Sequence, residues 1–342
     1  MIDGSSQLHL LEVQNLRIEL TKTEGAIPVV DGVSFRLLRG ETLAIVGESG
    51  CGKSVTALAI GRLLPPWVFK IRAEKITVAG KNILSLPERE MCAIRGRQIT
   101  YIFQHVGAVL NPVMTVRAQI MEMLQLHRPA HANEEEVKRL LEMVGFDAPE
   151  RIAKAYPFML SGGMQQRVAI AIAMASHPQV IIADEPTSAL DVTTQAKILE
   201  LFAFIKRSYR ISFIFITHNL RLVPRIADTV AVMYAGQIIE YGPVKAVLEH
   251  PSHPYTQALI ECIPDLNNME KPLCALPGTV PVPGSWPKGC RFQPRCKRAV
   301  SICVREQPPL QEISAGKYCR CFLANKTAYT TESIEIRRSA VD

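Results

Sequence analysis

No apolar run in this chain approaches the roughly 20 residues that a membrane-spanning helix needs. The longest candidates, residues 168–175 and 180–183, have the length of a core helix or a core strand. A helical membrane protein is thereby excluded, and any work at a membrane must go through partners. The first eleven residues hold no basic segment leading into an apolar one, so no signal peptide is expected and the chain is expected to stay in the cytoplasm. No long run of Lys or Arg occurs either. The net charge of +7, from 39 basic and 32 acidic residues, reads as a solvated surface, and no nucleic-acid partner is expected. Internal repeats and sustained heptads are absent, which excludes solenoids and coiled-coil rods.

What is present is an alternation of strand and helix patterns. Residues 8–40 read as β-rich, with Gly32 and Gly40 as punctuation. Leu43-Ala44-Ile45-Val46 is a short buried strand. A Gly-rich turn and a helix from about Lys53 to Leu64 follow, stopped by Pro65-Pro66. Residues 88–160 read as mostly helical, with Asn133 and Glu136 spaced as a capping box ahead of Val137, Leu140, Leu141 and Val144. Strand patterns return at residues 180–183 and 212–216. Strands alternating with helices imply an α/β fold with a largely parallel sheet. After about Tyr255, prolines from Pro264 to Pro309 make long helices unfavourable, and a loop-rich C-terminal region is expected.

Gly47-Glu48-Ser49-Gly50-Cys51-Gly52-Lys53-Ser54 fits G-x-x-x-x-G-K-[ST] without deviation, between a strand and a helix. Glycines let the backbone wrap so that N–H groups point at phosphate oxygens, and the helix start adds positive partial charge. Lys53 is expected on the β- and γ-phosphates and the Ser54 hydroxyl on Mg²⁺. Cys51 fills a variable slot. The apolar strand of residues 180–183 ends in Asp184, expected to hold Mg²⁺, and Glu185 is placed to polarise an attacking water. Such a strand end alone is weak evidence; coupled to the phosphate loop it is strong.

These residues, with four further motifs in order, resemble the ATPase subunits of ABC transporters over about residues 9–250. Leu160-Ser161-Gly162-Gly163-Met164-Gln165 is similar to the signature motif, and Ser188-Ala189-Leu190-Asp191 to the D-loop. Gln104 matches the Q-loop glutamine and His218 the switch histidine. The resemblance implies a P-loop ATPase domain over residues 1–255, with an antiparallel β subdomain and a helical subdomain over 88–165. It implies ATP and Mg²⁺ as ligands, with Gln104 sensing Mg²⁺ or water and His218 on the γ-phosphate. Ser161, Gly162 and Gly163 would receive the γ-phosphate of a nucleotide on a second ATPase subunit. The remaining histidines, His253 among them, read as structural. No aromatic residue stands between Ile18 and Val30 to stack on adenine, and His105-Val106 replaces the usual acidic residue and proline after Gln104.

His253-Pro254-Tyr255-Thr256-Gln257-Ala258-Leu259, Leu276-Pro277-Gly278-Thr279-Val280-Pro281 and Gly289-Cys290-Arg291-Phe292 resemble the tail of dipeptide, oligopeptide and nickel importer ATPases. A C-terminal domain over residues 256–325 and a tail over 326–342 follow from it. Five of the nine cysteines crowd into this region; in a reducing compartment that points to metal. Cys290-x₅-Cys296-x₆-Cys303-x₁₇-Cys321 offers four soft ligands for Fe–S or zinc, without the tight C-x₂-C pairs of a zinc ribbon. The resemblance implies a [4Fe–4S] cluster on Cys290, Cys296, Cys303 and Cys321, with Cys319 a competing fourth ligand and Zn²⁺ the alternative. Lys288, Arg291, Arg295, Lys297 and Arg298 either compensate an anionic cluster or form a solvated loop.

The expected function is an ATP-hydrolysing subunit at the cytoplasmic face of a bacterial inner membrane, held peripherally. Its expected partners are a related but different ATPase chain, two permease subunits and an extracytoplasmic solute-binding protein. The alternative readings are a non-transport ABC ATPase of DNA repair or translation, a non-hydrolysing regulatory subunit and an exporter ATPase.

Overall fold

A computed structural model describes residues 9–23, 25–263 and 276–324. The expected tail over 326–342 lies outside the described residues. Thirteen strands run in chain order among them. The first six are β1 (Leu11–Lys22), β2 (Gly25–Leu37), β3 (Thr42–Val46), β4 (Phe69–Arg72), β5 (Lys75–Val78) and β6 (Lys81–Asn82). Then come β7 (Ile99–Ile102), β8 (Val180–Asp184), β9 (Ser212–Thr217), β10 (Thr229–Tyr234) and β11 (Gln237–Pro243). The last two are β12 (Gln311–Ser314) and β13 (Lys317–Cys319). No described helix is long and apolar enough to cross a membrane. The chain forms two compact units. One comprises the described residues of 1–12, 36–42 and 76–217, the other those of 13–35, 43–75 and 218–342.

In the first unit β7, β8 and β9 run parallel, with Ile102 opposite Ala183 and Ala183 opposite Phe215. Their apolar sequences suit burial on both faces, which is what a parallel sheet with flanking helices demands. Residues 180–183 are all fully buried. Phe202, on the helix Val192–Tyr209, packs edge-on against Phe213 and Phe215 of β9. The stretch read as mostly helical does carry helices at Glu88–Ile94, Val116–His127, Glu134–Met143 and Pro149–Lys154. It also contains β7, because Ile99–Ile102 is apolar enough to pair with β8. Asn133 caps its helix as expected, its side chain accepting the Glu136 N–H at 2.9 Å. The reciprocal half of the capping box is replaced by a charge cluster. The Glu136 carboxylate instead accepts from Arg139 and Arg128, at 2.7 Å and 2.9 Å, which lowers its pKa to about 2.

In the second unit β3 and β10 pair in parallel, and β10 turns back into antiparallel β11. β13 pairs with β11, and β12 with β13. Among the described residues near the C-terminus the helices Pro254–Glu261 and Ser301–Arg305 are short. The β12–β13 hairpin was not expected. Tyr234, Tyr255 and Phe292 meet ring to ring in the core of this unit, with centroids 4.6–5.4 Å apart. The helix after the Gly-rich turn ends earlier than expected. It spans Lys53–Ile60, because Gly61 caps it and Arg62 turns left-handed before the prolines are reached.

Candidate functional site

The buried strand β3 delivers the chain into Gly47, in the second unit. Gly47 has φ +154°, and a Cβ there would collide with the Met233 carbonyl oxygen and the Cys51 sulfur. Only glycine passes this close to β10. Gly50 and Gly52 are left-handed, and Gly52 caps the helix Lys53–Ile60 without a side-chain partner. No acidic residue stands in that helix's first turn. Its N–H groups and positive end therefore stay open to an anion. Lys53 is nearly buried, and its ammonium donates to the carbonyls of Gly47 at 2.8 Å and Glu48 at 2.9 Å. Cys51 is fully buried beneath the loop, where burial raises its thiol pKa. The filler reading of that cysteine agrees with this position. Sequence, glycine geometry and helix charge together make residues 47–54 a cradle that fits a polyphosphate.

The two carboxylates expected from the sequence to act on Mg²⁺ and water, Asp184 and Glu185, lie in the first unit. Asp184 closes β8, and Glu185 follows with φ +46°, an uncommon conformation for a glutamate. The Glu185 N–H donates to the Ile216 carbonyl at 2.9 Å, which anchors it at the end of β9. Because β7 and β8 run in parallel register, Gln104 and Glu185 leave the same sheet end two residues beyond paired positions. Gln104 Nε2 donates to Glu185 Oε2 at 3.0 Å. Crevices beyond the carboxyl ends of parallel strands are where such sheets bind ligands.

Ser161 caps the helix Gly162–Ala175, its hydroxyl accepting the Met164 N–H at 3.4 Å. That helix also lacks an acidic first turn. Asp191 caps the helix Val192–Tyr209 by accepting the Thr194 N–H at 2.9 Å, which lowers its carboxyl pKa. A Cβ on Gly163 would strike the Thr194 methyl, so signature and D-loop helices meet through a bare backbone. His218 is exposed immediately after β9 and opens the second unit.

Cys290, Cys296, Cys303 and Cys321 line one small cavity walled by Phe292, Phe322 and Leu323. Cys319 is buried on β13 and does not line it. Burial pushes the thiols of Cys290 and Cys321 up to about 11. Among the described residues, no group of three or more His, Cys, Asp or Glu is placed to hold a metal ion. Of the nearby cations, Arg298 lines the cysteine cavity. Arg291 turns away to the Ala235 carbonyl and Asp31, with its guanidinium 3.6 Å over the Trp286 ring. Arg295 turns to Glu48. Both side chains are buried against these partners, not in a solvated loop. Sequence reading assigned no role to Tyr255, whose hydroxyl accepts the Glu48 N–H at 3.0 Å. Its place inside the importer tail was the available signal. His253 is structural, as read: it is buried, and its Nδ1 accepts the Tyr255 N–H.

Residues 30–188 match the family model described as ABC transporter, and residues 239–303 the one described as oligopeptide/dipeptide transporter, C-terminal region. The oligopeptide transport ATP-binding protein AppD of Bacillus subtilis is 45% identical over 316 residues, spanning 92% of this chain and 96% of the relative. The oligopeptide transport ATP-binding protein OppD of Salmonella typhimurium is 44% identical over 316 residues, with 92% and 93% covered. Among solved structures, a dimeric post-hydrolysis state of the ATP-binding cassette MJ0796, bound to ADP and Pi, aligns with TM-score 0.61 at 28% identity. That alignment covers 68% of this chain and 98% of the other.

Proposed function

Because this chain belongs to the ABC transporter ATP-binding proteins that share the oligopeptide/dipeptide transporter C-terminal region, we propose that it hydrolyses ATP to drive import of di- or oligopeptides, or a related small solute such as nickel. The observation that carries the ATPase role is the cradle at residues 47–54, with its open helix end and inward Lys53. The peptide-type cargo rests on the tail match and on the names of the relatives.

Each residue then has a role. Backbone N–H groups of the 47–54 loop, that of Glu48 aside, bind the phosphates, and Lys53 takes the β- and γ-phosphates. Ser54, Asp184 and Gln104 are the residues to hold Mg²⁺, which when bound neutralises phosphate charge. Glu185 orients and polarises the attacking water, and Gln104 holds the Glu185 carboxylate in place. His218 contacts the γ-phosphate. Ser161, Gly162 and Gly163 present a helix start to the nucleotide of a second ATPase subunit, a related but different chain. Closure of that pair switches the access of two permease subunits, supplied by an extracytoplasmic binding protein. The chain thus acts peripherally at the cytoplasmic face of the inner membrane. The modular pattern is a cassette over residues 1–255, with 88–165 its helical part, followed by an importer-type region over 256–325.

Cys290, Cys296, Cys303 and Cys321 are the residues to hold a [4Fe–4S] cluster. Four thiols around one apolar-walled cavity are a soft donor set that fits it. A zinc ion at Zn–S ~2.3 Å needs its sulfurs within ~3.8 Å of one another. When bound, the cluster ties four positions of a loop-rich region together.

The test is copurification with the permease and binding-protein partners, followed by ATPase measurement with and without added peptide. Peptide-stimulated hydrolysis supports the reading. Hydrolysis that responds to none of a dipeptide, an oligopeptide or Ni²⁺ sinks the cargo assignment.

A further inference from the structure

We infer that the cysteine-bearing C-terminal segment positions the phosphate cradle, with Arg295 and Tyr255 as positioning residues acting through Glu48. Glu48 stands second in the cradle, and a bare carboxylate there would repel the phosphates it helps to enclose. Arg295 closes on it as a fork. Nη1 lies 2.7 Å from Oε2 and Nη2 lies 3.0 Å from Oε1. The Arg295 side chain is 5% exposed and the Glu48 side chain 30%, so solvent reaches this pair only from the carboxylate side. Its Nε is held from behind by the Pro277 carbonyl at 2.8 Å, and the guanidinium lies 5.7 Å over the Tyr234 ring. Glu48 is gripped at its backbone as well, since its N–H donates to the Tyr255 hydroxyl at 3.0 Å. Tyr255 is fully buried against Tyr234 and Phe292, so its hydroxyl is a fixed point.

Two consequences follow from this geometry. The Glu48 N–H is aimed away from the anion, which leaves the remaining loop N–H groups and Lys53 to define the cradle. The Glu48 charge is neutralised by a residue that immediately precedes Cys296, itself on the wall of the cysteine cavity. The importer-type tail is thereby part of the nucleotide site of its own chain. This inference rests on the ATPase assignment and not on the cargo.

The test measures binding of ADP and of a non-hydrolysable ATP analogue to the full-length chain, with KM and kcat for ATP in the assembled complex. Arg295→Met leaves the Glu48 carboxylate uncompensated and is expected to weaken nucleotide binding and raise KM ~10-fold, with kcat within ~3-fold of wild type. Adding Glu48→Gln to that variant removes the stranded charge and is expected to recover most of the lost affinity. Tyr255→Phe frees the Glu48 N–H and is expected to raise KM by ~3-fold. Arg295→Lys keeps the charge without the fork and serves if the Met variant does not fold; it is expected to fall between wild type and Arg295→Met. A lowered melting temperature with unchanged nucleotide affinity would mean a merely structural pair and overturns the inference. So does failure of Glu48→Gln to rescue a folded Arg295→Met chain. A wild-type chain that binds no nucleotide would instead count against the ATPase assignment itself.

Discussion

Gln104 and Glu185 are hydrogen-bonded to each other at 3.0 Å, across strands that carry the sheet's carboxyl end. Both had been read separately as residues that act on water or Mg²⁺. Their contact supports the proposed role of Gln104 in aiming Glu185 at the attacking water. Replacing Gln104 by Ala is expected to lower kcat of the assembled complex by ~10–100-fold, a larger effect than the ~3–10-fold loss of Mg²⁺-nucleotide affinity that follows from the missing Mg²⁺ contact. Single-turnover hydrolysis checks this. Unchanged kcat in a properly assembled complex would remove Gln104 from that role.

The four cysteines around one cavity predict the behaviour of the purified protein. Prepared without oxygen, it should be brown and contain iron and sulfide. Cys296→Ser and Cys321→Ser should be colourless or iron-poor. Cys319→Ser should keep its iron, because that sulfur lies on β13 away from the cavity. Colourless wild-type protein with stoichiometric zinc would replace the cluster with zinc. Iron loss in Cys319→Ser alone would reverse the ligand assignment.

Two buried groups make folding sensitive to acid. Burial lowers the His253 pKa from its ordinary 6.5 to about 3. Between those values the unfolded chain holds a proton that the folded chain does not, so stability is full above about 6.5 and falls as pH drops toward 3. Glu136, held down to about 2 first by its bonds from Arg139, adds a loss in the same direction at lower pH. His253→Asn keeps an oxygen to cap the Tyr255 N–H but cannot titrate. Denaturant unfolding of both proteins should show wild type losing stability faster than the variant between pH 6.5 and 5, with an excess slope of up to ~1.4 kcal/mol per pH unit. Parallel curves would contradict the assignment.

The parts of this site legible in the sequence are those that are contiguous. Residues 47–54 specify their own turn, because the glycines and Lys53 stand within eight positions. Residues 180–185 announce a buried strand ending in carboxylates. The helix caps at Asn133, Ser161 and Asp191 are local as well, each side chain reaching a backbone N–H three positions on. What was hidden depends on chain folding over distance. Arg295 and Glu48 are 247 positions apart, and no local pattern pairs them. Gln104 and Glu185 are separated by 81 positions and meet only because β7 and β8 align in register. The left-handed backbone of Glu185 has no compositional sign. The early end of the helix at Ile60 did have one in Gly61, outweighed in the reading by the louder Pro65-Pro66.

The reaction itself is tested most directly by Glu185→Gln in the assembled complex. The substitution keeps the size of the side chain and removes its basicity. ATP binding should be retained within ~3-fold, the ATP-bound pair of cassettes should persist, and hydrolysis should fall by at least ~100-fold. Hydrolysis at the wild-type rate by that variant would contradict Glu185 as the base and the ATPase mechanism built on it.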